Sequence, residues 1–348
     1  MFEPRFTYTH KINNNLLEIE RARGFLEAAQ LKEKWIKEMQ SEKLILETHH
    51  STHIEGTRLT LKQAKKILTG KKVIGVHPDD RKELLNYREA IDFVSKYLGK
   101  EDPITEGLVR EIHKMLVKGV RVNSADPGNY RRIQNYVVDM IDNKIIYTPP
   151  PPQDVPDFMR KFVEWLNAPK DISAILIAGI SQFQLVHIHP FVDGNGRTAR
   201  LLCTLVLYKN GYDFKRLFSL SEYYDKDRRQ YYDAIQTVRE NNMDMTYWLE
   251  YFTDGLKSQM LELKDKGETA IKKESYLKKA RKVNLNARQI KILLYLIEKR
   301  KLTIEECVQR FNVIRRTAQR DFGRLVEHQF AQEIAKSKTD PTKYYKSL

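Results

Sequence analysis

Apolar positions recur every three or four residues along most of the chain, set among Glu, Lys and Arg, which is the periodicity of helices with one buried face. Residues 13–40 predict a long helix, and a second runs from about Ser41 to Ile54, with Gly56 placed to cap its end. Residues 60–69, 79–98 and 104–118 repeat the pattern, the last with start signals at Asp102-Pro103 and Thr105. Further helices are predicted over 154–167 and 171–187, from about Arg197 after a break at His189-Pro190, and over 226–241 and 244–265.

The texture changes at Gly128. Asn135 to Thr148 carries two β-favouring runs around Asp142-Asn143, which predicts a short hairpin. Pro149 to Pro152 then cannot continue a ladder and form an extended connector, or alternatively a Pro-rich ligand for a partner domain. The helical pattern weakens at Lys264-Asp-Lys-Gly267, the candidate domain boundary. The expected organisation is an N-terminal helical region over 1–100, a helical domain over 101–265 and a C-terminal domain over 272–348. The fold class is mainly α.

Composition narrows this little: 41% apolar and 31% charged residues are ordinary for a globular chain. No run of apolar residues is long enough to span a bilayer, and the N-terminus lacks a signal-peptide pattern, so no membrane partner is expected. Cys203 and Cys307 are the only cysteines, which excludes a disulfide framework and points to the cytoplasm. Charge says more. Residues 272–348 hold 20 Lys and Arg against 8 Asp and Glu, a net +12 of the chain's +15. A basic face of that density is a nucleic-acid footprint or a solvated lysine surface.

Residues 188–200, Ile-His-Pro-Phe-Val-Asp-Gly-Asn-Gly-Arg-Thr-Ala-Arg, form a loop opening a helix. Gly194 and Gly196 free the backbone to curl, and bare N–H groups at the helix start make an anion nest that suits a phosphate chain. Arg197 and Arg200, three apart on one helix face, can grip the same anion. Asp193 beside the nest suits Mg²⁺ bridging two phosphates. His189 stands close enough to serve as general base for attack at phosphorus. Base, metal ligand, nest and two cations are the parts required for phosphoryl or nucleotidyl transfer. A P-loop is excluded because no Lys-Ser/Thr follows the glycines, and an EF-hand fails at Arg197 and Thr204. His187, His189 and Asp193 could instead form a metal-hydrolase cluster, although His187 reads more simply as a packed helix-end residue.

The segment resembles the Fic signature H-P-F-x-D/E-G-N-G-R-x-x-R at all nine defined positions, His189 to Arg200. The resemblance implies a helical Fic fold with a β-hairpin flap, and transfer of AMP from ATP to a Tyr, Thr or Ser hydroxyl of target proteins and of itself. His189 would deprotonate the acceptor and Asp193 would ligate Mg²⁺. Gly194, Asn195 and Gly196 would cradle phosphates, with Arg197 and Arg200 on the β and γ groups. Phe191 would pack inside.

Ser51-Thr-His-Ile-Glu55-Gly56 resembles the family's inhibitory pattern, S/T-x-x-x-E-G/N. By that resemblance Glu55 pairs with Arg200, removes the cation meant for the γ-phosphate and leaves ATP misaligned; it could also position a water for AMP removal. His49, His50 and His53 beside it read as solvated histidines on a polar face. The hairpin sits where the family carries its flap, so Lys144, Ile145, Ile146, Tyr147 and Thr148 would dock the target as an added strand. Tyr223, Tyr224, Tyr231 and Tyr232 would wall the base pocket, at least two of them as ordinary packing residues, with Gln184 as a further nucleotide contact.

The C-terminal segment predicts helices over 284–299, from the capping box at Thr303 and from Arg315, then short β pieces around Ile334 and Tyr344-Tyr345. This order resembles a winged helix-turn-helix domain. Arg315, Arg316, Thr317, Gln319 and Arg320 would face a DNA groove, or the module would dock protein. Three functions remain open on sequence: an autoinhibited adenylyltransferase, a nucleotide-sensing DNA-binding regulator, or a Fic enzyme that uses UTP, GTP or a phosphocholine carrier, or removes AMP. A homodimer is left open.

Overall fold

The computed structural model describes residues 2–97, 102–138, 144–337, 340 and 342–348. The chain divides into two compact units, Met1–Glu27 with Ile36–Glu262, and Ala28–Trp35 with Leu263–Leu348.

The first unit is helical. α1 (His10–Ala28) and α2 (Glu33–Ile54) replace the single helix expected over 13–40 and absorb the one expected from Ser41. The buried stripe of α1 ends at Leu26, and nothing from residue 27 to residue 38 is buried, so no face holds one helix through that stretch. α3 (Leu61–Leu68) starts at a capping box on Thr60, and α4 (Pro78–Lys96) carries Pro78 at its first turn. α5 (Glu106–Val117) is capped by Thr105, as its sequence signals predict.

β1 (Val137–Val138) and β2 (Ile145–Tyr147) pair antiparallel, with Val137 opposite Tyr147. The turn expected at Asp142-Asn143 lies outside the described residues. α6 (Val155–Asn167) leads to α7 (Ala174–Ile188) and α8 (Asn195–Lys209). α7 is buried on nearly every side, as the apolar run Ala174–Ile180 requires of a central helix. At Gly179 a side-chain carbon would meet Phe252, and the Trp248 Nε1–H donates to the Gly179 carbonyl at 2.8 Å, so this glycine lets α7 approach its neighbour closely.

The helix expected over 226–241 is α10 (Arg228–Glu240), capped by Asp227 through the Gln230 N–H, and a short α9 (Leu220–Lys226) that the sequence pattern does not predict precedes it. α11 (Thr246–Lys282) runs on through Lys264–Gly267, so the expected pause there is not a break and the boundary between units falls inside this helix.

In the second unit, α12 (Ala287–Lys299), α13 (Ile304–Phe311) and α14 (Arg315–Glu327) pack on a sheet of order β3-β5-β4. β3 (Lys301–Leu302) escapes sequence reading because it is two residues long; β4 (Ala331–Ile334) and β5 (Tyr344–Ser347) fall where the β pieces were expected. Phe322 stacks on Tyr345 with ring centroids 4.0 Å apart, in a core that includes Ile292, Leu296 and Leu325.

Candidate active site

The loop between α7 and α8 is held from several sides. His189 ends α7 with φ 52°, a left-handed conformation that turns the chain out of the helix. Phe191 is fully buried and stacks on His113, ring centroids 3.7 Å apart, so it packs inside as expected. Asn195 does something the sequence does not announce. Its buried side chain accepts from the Phe191 N–H at 2.9 Å and donates to the Phe191 carbonyl at 2.8 Å, stapling the loop shut. Asn195 therefore offers a ligand its backbone and not its amide. Gly194, at φ 81°, lies against Val117 and His113 where a side chain would collide.

The His189 ring is oriented by its own helix. Nδ1 lies 3.2 Å from the Val186 carbonyl, which can only accept, so Nδ1 carries the proton and Nε2 keeps its lone pair. Burial pushes the imidazole down to about 4, and the charges of Arg239 and Arg131 add to the effect. The Arg131 Nε donates to the His189 carbonyl at 2.8 Å, and its other nitrogens reach the Ile133 and Pro150 carbonyls, tying the loop to both ends of the flap. A neutral imidazole with a fixed tautomer is the form a general base needs.

The expectation that Arg197 and Arg200 share one anion does not hold in this state, because each has its own partner. Buried Arg197 pairs with Glu83 of α4 at 2.5 Å and reaches Asp193 at 3.4 Å. Glu83 also takes Arg121, and Arg121 pairs with Asp193 at 3.0 Å. Arg200 donates to Ser51 Oγ at 2.8 Å, to the Ser51 carbonyl at 2.8 Å and to Glu55 Oε1 at 2.9 Å. The Glu55 carboxylate lies over the start of α8, where a side-chain carbon on Gly196 would overlap Oε1. One carboxylate thus covers the anion nest and occupies the cation beside it.

α2 is fixed by a stripe at intervals of four: Lys43, Glu47, Ser51 and Glu55. Buried Glu47 accepts from Tyr87 at 2.8 Å, Ser219 Oγ at 2.9 Å, and the Ser221 hydroxyl and N–H at 2.5 and 3.1 Å. Lys43 reaches Glu222 and Gln259, each at 3.1 Å. Gly56, at φ 103°, ends the helix directly after Glu55. The neighbouring histidines are not simply solvated. His50 and His53 both engage Asp225, at 2.7 and 2.8 Å, and His49 is buried, with burial pushing it down to about 4.

The four tyrosines separate. Tyr224 and Tyr231 are fully buried and stacked, with ring centroids 4.4 Å apart and both hydroxyls on Gln182 at 3.3 Å. Tyr223 packs on Gly255 of α11. Only Tyr232 is exposed, its hydroxyl 3.5 Å from the Ile54 carbonyl beside Glu55. Tyr224 and Tyr231 are thus core residues, and Tyr223 is half-buried beside them. Gln184 lines a cavity of about 330 Å³ with Phe2, Phe158, His187, Met243 and Met245.

On the flap, Ile145 and Ile146 are 56% and 41% exposed, Lys144 and Thr148 are exposed, and Tyr147 turns inward. The Tyr147 hydroxyl lies 2.9 Å from His187 Nδ1 and donates to the His187 carbonyl at 2.7 Å. His187 is thereby a flap anchor. Among the described residues no group of three or more His, Cys, Asp or Glu side chains is arranged to hold a metal, so the hydrolase cluster does not form. Asp193 itself suits Mg²⁺ held by one carboxylate and substrate phosphates, being 37% exposed at the loop, with Arg121 now on its Oδ2.

In the second unit, Arg316, Gln319 and Arg320 are exposed along α14, Thr317 is half-buried, and Arg315 pairs with Glu305.

A central helix pair whose joining loop presents a neutral histidine, a glycine nest and an arginine is the core of a Fic domain. Residues 103–207 match the Fic/DOC family, and residues 288–333 match a DeoR-like helix-turn-helix domain. The chain is 31% identical over 229 residues to the protein adenylyltransferase Fic of Culex quinquefasciatus, covering 65% of this chain and 43% of that protein. It is 32% identical over 212 residues to the protein of the same name from Aedes aegypti, covering 60% and 40%. The chain spans less than half the length of these relatives. A Fic family protein from Desulfovibrio desulfuricans G20 shares the fold over 100% of this chain and 98% of its own, with a TM-score of 0.65 at 22% identity. Fic-1 (aa134–508) from C. elegans aligns over 72% and 71%, with a TM-score of 0.61 at 25% identity. The chain carries a Fic domain followed by a C-terminal helix-turn-helix domain.

Proposed function

We propose that this protein is an adenylyltransferase that moves AMP from ATP onto a protein hydroxyl and is held at rest by Glu55. In the transfer, the acceptor oxygen bonds to the α-phosphorus, the bond from that phosphorus to the β-bridging oxygen breaks, and pyrophosphate leaves. The hydroxyl proton passes to His189 Nε2. The N–H groups at the start of α8 and a released Arg200 receive the β and γ phosphates, while Arg197 stays on Glu83 and steadies Asp193. Asp193 would hold Mg²⁺, which when bound supplies charge neutralisation to the phosphates. The exposed edge of the flap, Lys144 to Thr148, suits a target segment added as a strand.

The observation that carries the reading is the position of the Glu55 carboxylate, on Arg200 and over Gly196, at the two groups the phosphates need. The test is intact-mass analysis of Glu55→Gly incubated with Mg²⁺ and each nucleoside triphosphate in turn. A mass gain of one AMP with ATP, and none in the parent, is expected. No adduct with any donor would leave a nucleotide sensor in place of an enzyme, and a different adduct would rename the donor.

The exposed row Arg316, Gln319 and Arg320 favours duplex DNA as a partner of the second unit, with retention that weakens as salt rises. Arg316→Ala/Arg320→Ala in the full chain should elute from duplex DNA at lower salt than the parent; equal elution contradicts DNA contact through α14. Two buried thiols, Cys203 and Cys307, suit a reducing cytoplasm. No helix among the described residues is long and apolar enough to cross a membrane.

A further inference from the structure

A second cation stands at the other end of the catalytic loop, and no carboxylate among the described residues pairs with it. It is Arg239, on α10, and only Tyr147 acts to stabilise its charge. Its Nη1 donates to the Gln236 side chain at 3.1 Å, while Nε and Nη2 are shielded from solvent and have no hydrogen-bond partner. Its guanidinium carbon lies 3.4 Å above the centre of the Tyr147 ring. Tyr147 bonds His187, and His187 stands two residues before His189. Burial lowers the guanidinium to about 10, and its charge in turn lowers His187 and His189.

Arg239 is half-buried, and its two shielded nitrogens are unfavourable to the folded state because they are stripped of water and not given a partner. Arg131, the other cation near His189, has spent its donors on three carbonyls. Arg239 keeps Nε and Nη2 without a partner, and they are donors only, so the missing partner is an acceptor. The anion that His189 must meet in every turnover is the phosphoryl group under attack. Arg200 and the start of α8 serve the opposite end of the phosphate chain.

We infer that Arg239 is a further substrate-binding residue of the transfer site, which grips a non-bridging oxygen of the α-phosphate once the flap shifts Tyr147 off its face. The inference rests on the adenylyltransferase reading. Such a shift breaks the two bonds of the Tyr147 hydroxyl to His187, on strands of two and three residues. A guanidinium there has two effects on catalysis. It takes up charge that develops on the phosphoryl oxygens, and it keeps His189 unprotonated until the acceptor hydroxyl arrives. An acidic side chain of the target is the other anion that could reach the same donors. The phosphoryl group is favoured because it is present whatever the target.

The experiment uses the full chain with Glu55→Gly, so that the site is open, alone and combined with Arg239→Gln or Arg239→Lys. Calorimetric titration with AMP and with adenosine, both in Mg²⁺, reads the contact without requiring turnover. Arg239→Gln should weaken AMP at least tenfold and leave adenosine unchanged, and Arg239→Lys should recover part of the loss. The melting temperature of Arg239→Gln should equal or exceed the parent's, since an uncompensated charge has been removed. In turnover, the acid limb of the kcat profile should move to higher pH with Arg239→Gln, which a merely structural role would not produce. Equal AMP affinity with and without Arg239, or an equal loss for adenosine, overturns the inference. Failure of the transferase reading is seen separately, as absence of label transfer by Glu55→Gly with its AMP binding intact.

Discussion

The grip on Arg200 can be taken apart one bond at a time, and the size of each step follows from the contacts. Three bonds hold the guanidinium: Ser51 Oγ and the Ser51 carbonyl, each at 2.8 Å, and Glu55 Oε1 at 2.9 Å, while Nη1 has no partner. Arg200 is buried and Glu55 is 22% exposed, so the pair is largely shielded from solvent screening. A hydrogen bond to a charged group in such a place contributes about 1.5–3 kcal/mol, or roughly ten- to a hundredfold in the balance between blocked and open sites. Glu55→Gly removes that bond and also clears the nest over Gly196, so initial self-labelling with α-radiolabelled ATP should rise by one to two orders of magnitude. Ser51→Ala removes one bond to Arg200 but leaves Glu55 in place, so its rise should be smaller, at most about tenfold. Glu55→Gln keeps the shape, loses the charge and should fall between the two. Quench-flow or short-time filter assays at sub-saturating ATP distinguish the three. If Ser51→Ala labels as fast as Glu55→Gly, or if Glu55→Gly labels no faster than the parent, the carboxylate is not what blocks the site.

Two further outcomes follow from the same geometry. His49, His113, His187 and His189 are each lowered to about 4 by burial, against about 6.5 in an unfolded chain. Between those values the unfolded chain binds more protons, so stability is complete above pH 6.5 and is lost as pH falls toward 4; calorimetric melting should drop steadily across that window, and a flat Tm contradicts the burial. Asn195→Ala opens the staple on Phe191 and leaves the buried Phe191 N–H unpaired, at about 1–3 kcal/mol, so Tm should fall by roughly 5 °C with transfer lost; an unchanged Tm would show that Asn195 does not hold the loop.

The parts of the site that were legible in the sequence are those packed into consecutive residues. His189 to Arg200 lie within one turn of chain and the start of a helix, so spacing alone brings base, carboxylate, nest and cation together. Glu55 came from a short pattern, and its position on Arg200 is a contact across 145 residues. What was not legible depends on where separate helices meet. Glu83 carries no local signal in the sequence, yet it is the buried partner of Arg197 across 114 residues. Arg131 and Arg239 carry no local motif, and only the packing of the flap and α10 against His189 gives them a role. The Tyr-rich run holds the expected packing residues but does not say which of the four they are: the break at Asp227 turns Tyr223 and Tyr224 toward α11, buries Tyr231 and leaves Tyr232 outside. The polar residues Lys43, Glu47, Ser51 and Glu55 recur every four positions, and a buried polar stripe on a helix marks a surface that docks on other polar groups.

The central claim is that His189 performs nucleotidyl transfer once Glu55 is gone. The most direct measurement is intact mass of Glu55→Gly and of Glu55→Gly/His189→Ala after incubation with ATP and Mg²⁺, with ATP affinity measured for both. The account predicts an AMP adduct on the first, none on the second, and ATP binding within a few-fold in both. An adduct that persists without His189 would contradict it.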